Sequence, residues 1–168
     1  CHIHTFDCTV GKNVQPPIRI KSRVTLHRFC FGVEDIHDTE KPVLSYLSML
    51  ELTKGSGQIR KPAYMKIDME GFEWMVIPNM IDDNEMNALL PDQIAFELHY
   101  ITWIGGSKVG SLLSWGARGK TPGKTAAEVA LFMDHLWKYG KYFLVNRADN
   151  IKCGSCSELL IARPTQDP

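Results

Sequence analysis

The sequence predicts an α/β domain built on a mainly parallel sheet. Strand-like segments alternate with helical ones along most of the chain, and no repeat or low-complexity tract interrupts them. The last two strand-like segments are joined by residues 147–156, which include Gly154 and are too few for a helical crossover. Those two strands should therefore run antiparallel.

Six segments read as strands from period-2 alternation or short apolar runs: 2–6, 24–31, 63–67, 93–98, 142–147 and 157–162. Three helices are expected between them. Residues 126–139 carry Val129, Phe132, Met133, Leu136 and Trp137 at helical spacing, one apolar face. Thr125 and Glu128 have the spacing of a capping box, and Gly140 supplies a stop. A second helix is expected from about Pro42 to Lys54, with Pro42 in its first turn and Gly55 closing it. A third, short helix over Gly71–Ile77 should end or kink at Pro78.

Composition excludes several classes. The 168 residues are 44% hydrophobic and 23% charged, which is globular rather than disordered. Nineteen basic residues balance nineteen acidic ones, so bulk electrostatics does not point to nucleic acid. No apolar run approaches the roughly 18–20 residues of a membrane helix. Five cysteines cannot all pair within one chain. The chain opens in an apolar–polar alternation, Cys1 to Phe6, which reads as the middle of a fold. The expectation is a single domain over 1–168, truncated at its N-terminus and, on its own, inactive and prone to aggregate.

Ligands of open α/β sheets bind beyond the carboxyl ends of the strands. Here those ends carry Asp7, then Glu34 and Asp35, then Asp68 and Glu70, then Glu97 followed by His99. A single such acid is most simply a helix N-cap. Together they suit a ligand rich in hydroxyl and amine donors.

Residues Met65-Lys66-Ile67-Asp68-Met69-Glu70-Gly71-Phe72-Glu73-Trp74 resemble the K-I-D-x-E-G-x-E segment of FkbM-type methyltransferases and their methyltransferase-like relatives. These are class I enzymes that use S-adenosylmethionine. His4-Thr5-Phe6-Asp7, Gln93 to His99 and Cys156 to Ile161 resemble the second, fifth and last strands of that family in the same order. The resemblance implies a Rossmann-like class I sheet, mostly parallel with an antiparallel C-terminal hairpin, whose first strand and glycine-rich turn would lie upstream of Cys1. It implies Asp7 as the acid that accepts from the cofactor's ribose hydroxyls, since two carboxylate oxygens suit a diol. The pair Glu34 and Asp35 would lie where the adenine amine is held, with Asp35 preferred. Asp68, Glu70, Glu97 and His99 would form the catalytic wall facing the acceptor, a small-molecule or carbohydrate hydroxyl, with His99 the best placed to take its proton.

Other motifs are weighed and set aside. Gly119-Lys120-Thr121 and Gly123-Lys124-Thr125 lack the earlier glycine of a phosphate loop; Ser114 and Arg118 stand there instead. Residues 103–125 form a Gly-rich basic stretch with the composition of a binding loop or of a solvated insertion. Cys153-Gly154-Ser155-Cys156 has no second pair for zinc and precedes a strand, so these cysteines read as structural or incidental. Asp68, Glu70, Glu97 and His99 have donor types that suit a divalent metal, although none is assigned. Two alternatives to the enzyme remain: a Rossmann-like binding module without catalysis, and an α/β domain whose acidic rim binds metal or sugar.

Overall fold

The computed structural model describes residues 1–55, 57–100, 124–149 and 156–164. The chain divides into two compact units, Cys1–Ile59 and Arg60–Pro168, and each is described by itself.

In the first unit, β1 (Ile3–Phe6) pairs in parallel with β2 (Val24–His27), in register from Ile3↔Val24 to Phe6↔His27. A 3-10 turn, Lys21–Arg23, leads into β2. Alternation gives this ribbon two unlike faces. Thr5, Val24 and Leu26 line an apolar cleft of about 290 Å³ together with Val10, Val14 and Ile20. His2, His4, Phe6, Thr25 and His27 fall on the other face. A second parallel pair joins β3 (Cys30–Phe31) to β4 (Val43–Leu44), and α1 (Tyr46–Thr53) follows. A disulfide between Cys8 and Cys30 ties the segment after β1 to β3.

Two expectations change here. The strand expected over 24–31 is two strands, broken at Arg28 and Phe29, because β2 and β3 pair with different partners. At the break, the Arg28 guanidinium donates to the carbonyls of Lys12 and Val14. The helix expected from Pro42 starts later. Val43 and Leu44 are buried in β4, with Gly32 N–H donating to the Leu44 carbonyl and Ile36 and Val43 exchanging backbone bonds. The start of α1 is instead set by Ser45, whose Oγ accepts from Ser48 N–H, the ordinary N-cap. Beyond the end of α1, Gly55 has a φ of +59°, where glycine escapes the Cβ penalty.

The second unit contains β5 (Met65–Ile67), α2 (Glu73–Asp82), α3 (Asn84–Leu89), β6 (Gln93–His99), α4 (Ala126–Lys138), β7 (Phe143–Asp149) and β8 (Cys156–Ala162). Its sheet runs β5-β6-β8-β7. β5 and β6 are parallel, whereas β8 is antiparallel to both of its neighbours. The closing pair is thus antiparallel, as the short link required. The chain as a whole is mixed α/β, with three parallel pairings among the described residues. Its described strands fall into three small sheets, where the sequence suggested one.

Strand β6 is the centre of the core: Ile94, Phe96 and Leu98 are fully buried. Trp74 of α2 packs on Phe132 of α4 at 4.8 Å between ring centroids, and Phe132 meets Phe96 edge-on at 6.2 Å. The capping box of α4 is present in full: Glu128 N–H donates to Thr125 Oγ1, and the Glu128 carboxylate accepts from Thr125 N–H. Phe132 and Leu136 carry the buried stripe, but Trp137, read as part of that face, is 58% exposed. At Gly140 the chain passes close to its neighbours, since a Cβ would stand 2.7 Å from the Leu136 carbonyl oxygen.

Pro78 does not end its helix: α2 continues through it to Asp82. An interior proline costs about 3 kcal/mol. Beyond it, Met80 and Ile81 are nearly fully buried, and each such side chain is worth roughly 1.5–3 kcal/mol. Burial outweighs the lost hydrogen bond.

The Cys8–Cys30 crosslink closes a loop of 22 residues in sequence separation. Loss of such a constraint costs roughly 3 kcal/mol. Replacing both cysteines by serine should therefore reduce hydrogen-exchange protection of the β1–β2 amides by about that amount. Unchanged protection would show that the crosslink adds nothing to this unit.

Candidate functional site

Four of the residues singled out from the sequence meet at the carboxyl ends of β5 and β6. The last parallel pairing is Ile67↔Phe96, so Asp68 and Glu97 lie one step beyond it, and His99 ends β6. Asp68 and Glu70 are exposed, whereas Glu97 and His99 are buried. His99 Nε2 lies 3.5 Å from Glu70 Oε2 and 4.0 Å from Glu97 Oε2. Asp68, Glu70 and His99 each place one ligand atom within 4.8 Å of the others.

The turn that presents them is held by a residue the sequence reading left without a role. Glu73 begins α2 and is completely buried. Its Oε1 accepts from Met69 N–H at 2.6 Å and its Oε2 from Gly71 N–H at 2.9 Å. These are charge-assisted bonds at a helix start, where the dipole also favours an anion. They hold Glu70 at a φ of +54° and Gly71 at +105°. Glycine tolerates that region, whereas for glutamate it is a strained conformation that the surrounding structure must impose. Glu73 was visible in the K-I-D-x-E-G-x-E run; its burial was not.

The same Glu73 Oε2 lies 3.5 Å from His99 Nδ1. That is long for a well-made hydrogen bond, and Nδ1 has no better partner among the described residues. The carboxylate nevertheless favours imidazolium. Glu73 raises the His99 pKa above its ordinary value, burial opposes it, and the Glu70 and Glu97 charges add to the rise. The backbone end of β6 is anchored as well, since Trp74 Nε1–H donates to the His99 carbonyl at 2.7 Å. The imidazole thus has Glu73 on its Nδ1 side, while Nε2 lies beside the exposed carboxylate of Glu70 and the buried one of Glu97.

Glu97 Oε1 lies 2.6 Å from Cys156 Sγ, and Cys156 faces His99 across the β6–β8 ladder. Cys156 is disulfide-bonded, so its sulfur has neither a proton to donate nor a thiolate to offer a metal. That removes a Glu97–His99–Cys156 metal set from consideration. Cys153 and all of 103–125 except Lys124 and Thr125 lie outside the described residues. Lys124 Nζ sits 5.1 Å from the centroid of the Trp74 ring, and its N–H donates to the Tyr100 carbonyl.

The two acids expected at the cofactor belong to the first unit. Asp7 follows β1, and its Oδ1 accepts from both the N–H and the hydroxyl of Thr9. Its Oδ2 has no hydrogen-bond partner among the described residues. Asp35 Oδ1 accepts from Ser45 N–H at 2.6 Å and Oδ2 from the Ser48 hydroxyl at 2.5 Å. Desolvation pushes the Asp35 carboxyl up, but these bonds outweigh it and the net pKa is below the ordinary value. Asp35 is therefore committed to the start of α1, and an adenine amine would have to compete with it. Comparison with family models, with curated proteins and with solved structures gives no match to this chain.

A raised histidine pKa stabilises the fold while the ring is protonated. The His99 contribution is fully present below about pH 6.5 and is lost as pH rises through the higher folded-state value. In Glu73→Gln the largest cause of the rise is gone. An NMR titration should find His99 above its ordinary pKa in the parent and shifted down in the variant. An unshifted His99 in Glu73→Gln would show that the two groups do not communicate.

Proposed function

We propose that the protein transfers a methyl group from S-adenosylmethionine to a hydroxyl on a small molecule or carbohydrate. The observation that carries the reading is His99: its Nδ1 side is set against the buried Glu73 carboxylate and its Nε2 lies beside the carboxylates of Glu70 and Glu97. The resemblance of Lys66 to Trp74 to FkbM-type methyltransferases names the donor. The antiparallel closing strands agree with the sheet that resemblance implies.

When bound, S-adenosylmethionine supplies a methyl group already activated by its sulfonium. For Asp7 the role comes from the resemblance alone, which implies a carboxylate on the ribose diol; Thr9 occupies its Oδ1. The chain's own task is then alignment and one proton. His99 Nε2 takes the hydroxyl proton of the acceptor as the oxygen is methylated, and Glu73 stabilises the imidazolium formed. Asp68 and Glu70, exposed beside it, accept hydrogen bonds from neighbouring hydroxyls of the acceptor.

Three measurements on the intact protein test this. Asp7→Ala should weaken binding of S-adenosylhomocysteine by roughly 1.5–3 kcal/mol in calorimetry. His99→Ala should lower turnover by roughly 10²–10⁴-fold and leave that affinity nearly unchanged. Because the base must be deprotonated and its pKa is raised, turnover should climb with pH above 6.5 rather than plateau below it. Cofactor binding with no turnover on any hydroxylated acceptor would leave a binding module.

A second reading rests on the mutual 4.8 Å proximity of ligand atoms from Asp68, Glu70 and His99. Carboxylates with an imidazole suit Mg²⁺, Mn²⁺ or Zn²⁺, which would lower the pKa of the acceptor hydroxyl in place of a protein base. Activity abolished by chelator and restored by Mg²⁺ or Mn²⁺ would replace the first reading by this one.

A further inference from the structure

The first unit carries a basic, aliphatic loop that methyl transfer does not use. Between Cys8 and Cys30, whose disulfide closes the loop, stand Lys12, Arg19, Lys21, Arg23 and Arg28 and not one acid. The whole chain is neutral, so this excess is local. Lys12, Arg19, Lys21 and Arg23 are exposed, and none has an ion-pair partner among the described residues. Backbone turns decide which side chains stand out. Val14 N–H donates to the Gly11 carbonyl at 3.0 Å, and Ile20 N–H to the Pro17 carbonyl at 2.9 Å. The central residues of these turns are Lys12 and Asn13, then Ile18 and Arg19. The 3-10 turn follows with Lys21 and Arg23. Arg28, bonded to the carbonyls of Lys12 and Val14, braces the first turn. Ile18 is 91% exposed, and Val14 and Ile20 are exposed as well. One exposed aliphatic side chain is ordinary. Three in a loop whose charges all have one sign are not.

We propose that this loop docks the protein on an anionic lipid surface, with Ile18 entering the boundary between headgroups and acyl chains and Lys12, Arg19, Lys21 and Arg23 lying among the anionic headgroups. Peripheral attachment needs these two contributions together, buried apolar area and attraction to anionic lipid. Lysine and arginine suit the boundary because their stems lie along apolar surface while their charges stay in the polar layer. Val14 and Ile20 also line the apolar cleft of this unit, so apolar surface continues from the turns into the fold. A nucleic acid attracts basic loops too, but single strands are held by aromatic rings on which bases stack. Residues 10–23 contain no aromatic ring. Contact with a duplex backbone would leave Ile18 in water.

Each basic residue close to an anionic membrane strengthens partitioning about fivefold. That share is sensitive to salt, because the screening length falls from about 10 Å at 0.1 M to about 3 Å at 1 M. Ile18 supplies a share that salt does not screen, at least about tenfold for a side chain taken fully out of water. The turns, the Arg28 brace and the Cys8–Cys30 crosslink hold the loop in shape beforehand, which limits the ordering cost of docking.

The experiment is flotation of the intact protein with vesicles of phosphatidylcholine alone and of phosphatidylcholine mixed with phosphatidylserine. Binding is expected to the mixed vesicles, weakening as salt is raised from about 0.1 M to 1 M. Nitroxide-labelled lipid should broaden the methyl signals of Ile18 and leave those of the buried Ile94 sharp. These readouts need no variant. Lys12→Gln, Arg19→Gln and Lys21→Gln should each weaken partitioning about fivefold. Ile18→Ser should weaken it about tenfold. Lys54→Gln, which removes a basic residue of the same unit outside the loop, should leave it unchanged. Equal binding to phosphatidylcholine alone, no binding to either vesicle, or unaltered partitioning in Ile18→Ser would overturn the proposal. So would binding of a single-stranded oligonucleotide in place of the mixed vesicles, which would assign the loop to nucleic acid.

Discussion

A carboxyl group with no solvent exposure needs hydrogen-bond partners for its oxygens, and Glu73 finds them at a turn where backbone amides would otherwise be orphaned. Its two oxygens take the Met69 and Gly71 amides, so the turn from β5 into α2 is closed by a side chain that belongs to the helix. From this follow the left-handed conformation of Glu70, the placement of Asp68 and Glu70 beside β6, and the charge that raises the pKa of His99. Apolar packing secures the same corner from beneath. Trp74, one residue on, donates to the His99 carbonyl and packs at a tilt against Phe132.

The two units show different ways of making a short strand stable. β6 is seven residues long, is flanked by β5 and β8, and buries its apolar residues almost entirely. β3 and β4 have two residues each, too few for a ladder to hold alone. The Cys8–Cys30 disulfide and the capped start of α1 fix their ends. Asp35 is part of that second arrangement. Its carboxylate does the ordinary work of an acid near a helix start, the simplest reading available for any one of the strand-end acids.

Where a feature depended on neighbours in sequence, it could be read directly. The capping box of Thr125 and Glu128, the period of Phe132 and Leu136, and the antiparallel closure forced by a short link are such cases. Where it depended on what a segment packs against, local reasoning went astray. Pro78 was expected to end or kink its helix; it does not end it, because Met80 and Ile81 beyond it are buried well enough to carry the helix onward. Val43 looked like the first apolar position of a helix, yet β3 was available to pair with it. Trp137 fitted the helical period and still points largely to water.

Sequence by itself determined the α/β class, the positions of most strands, and a set of acids and one histidine at the ends of β5 and β6, because alternation, capping and turn chemistry act within a few residues. Tertiary structure decided which strands share a sheet, which cysteine Cys8 meets, and that Glu73 is the carboxylate facing His99. Those outcomes depend on contacts between residues far apart in the chain: His99 lies 26 positions after Glu73, and β6 pairs with β8 across α4 and β7. No local propensity encodes such a meeting, because its free energy comes from burial and pairing that exist only once the chain has folded.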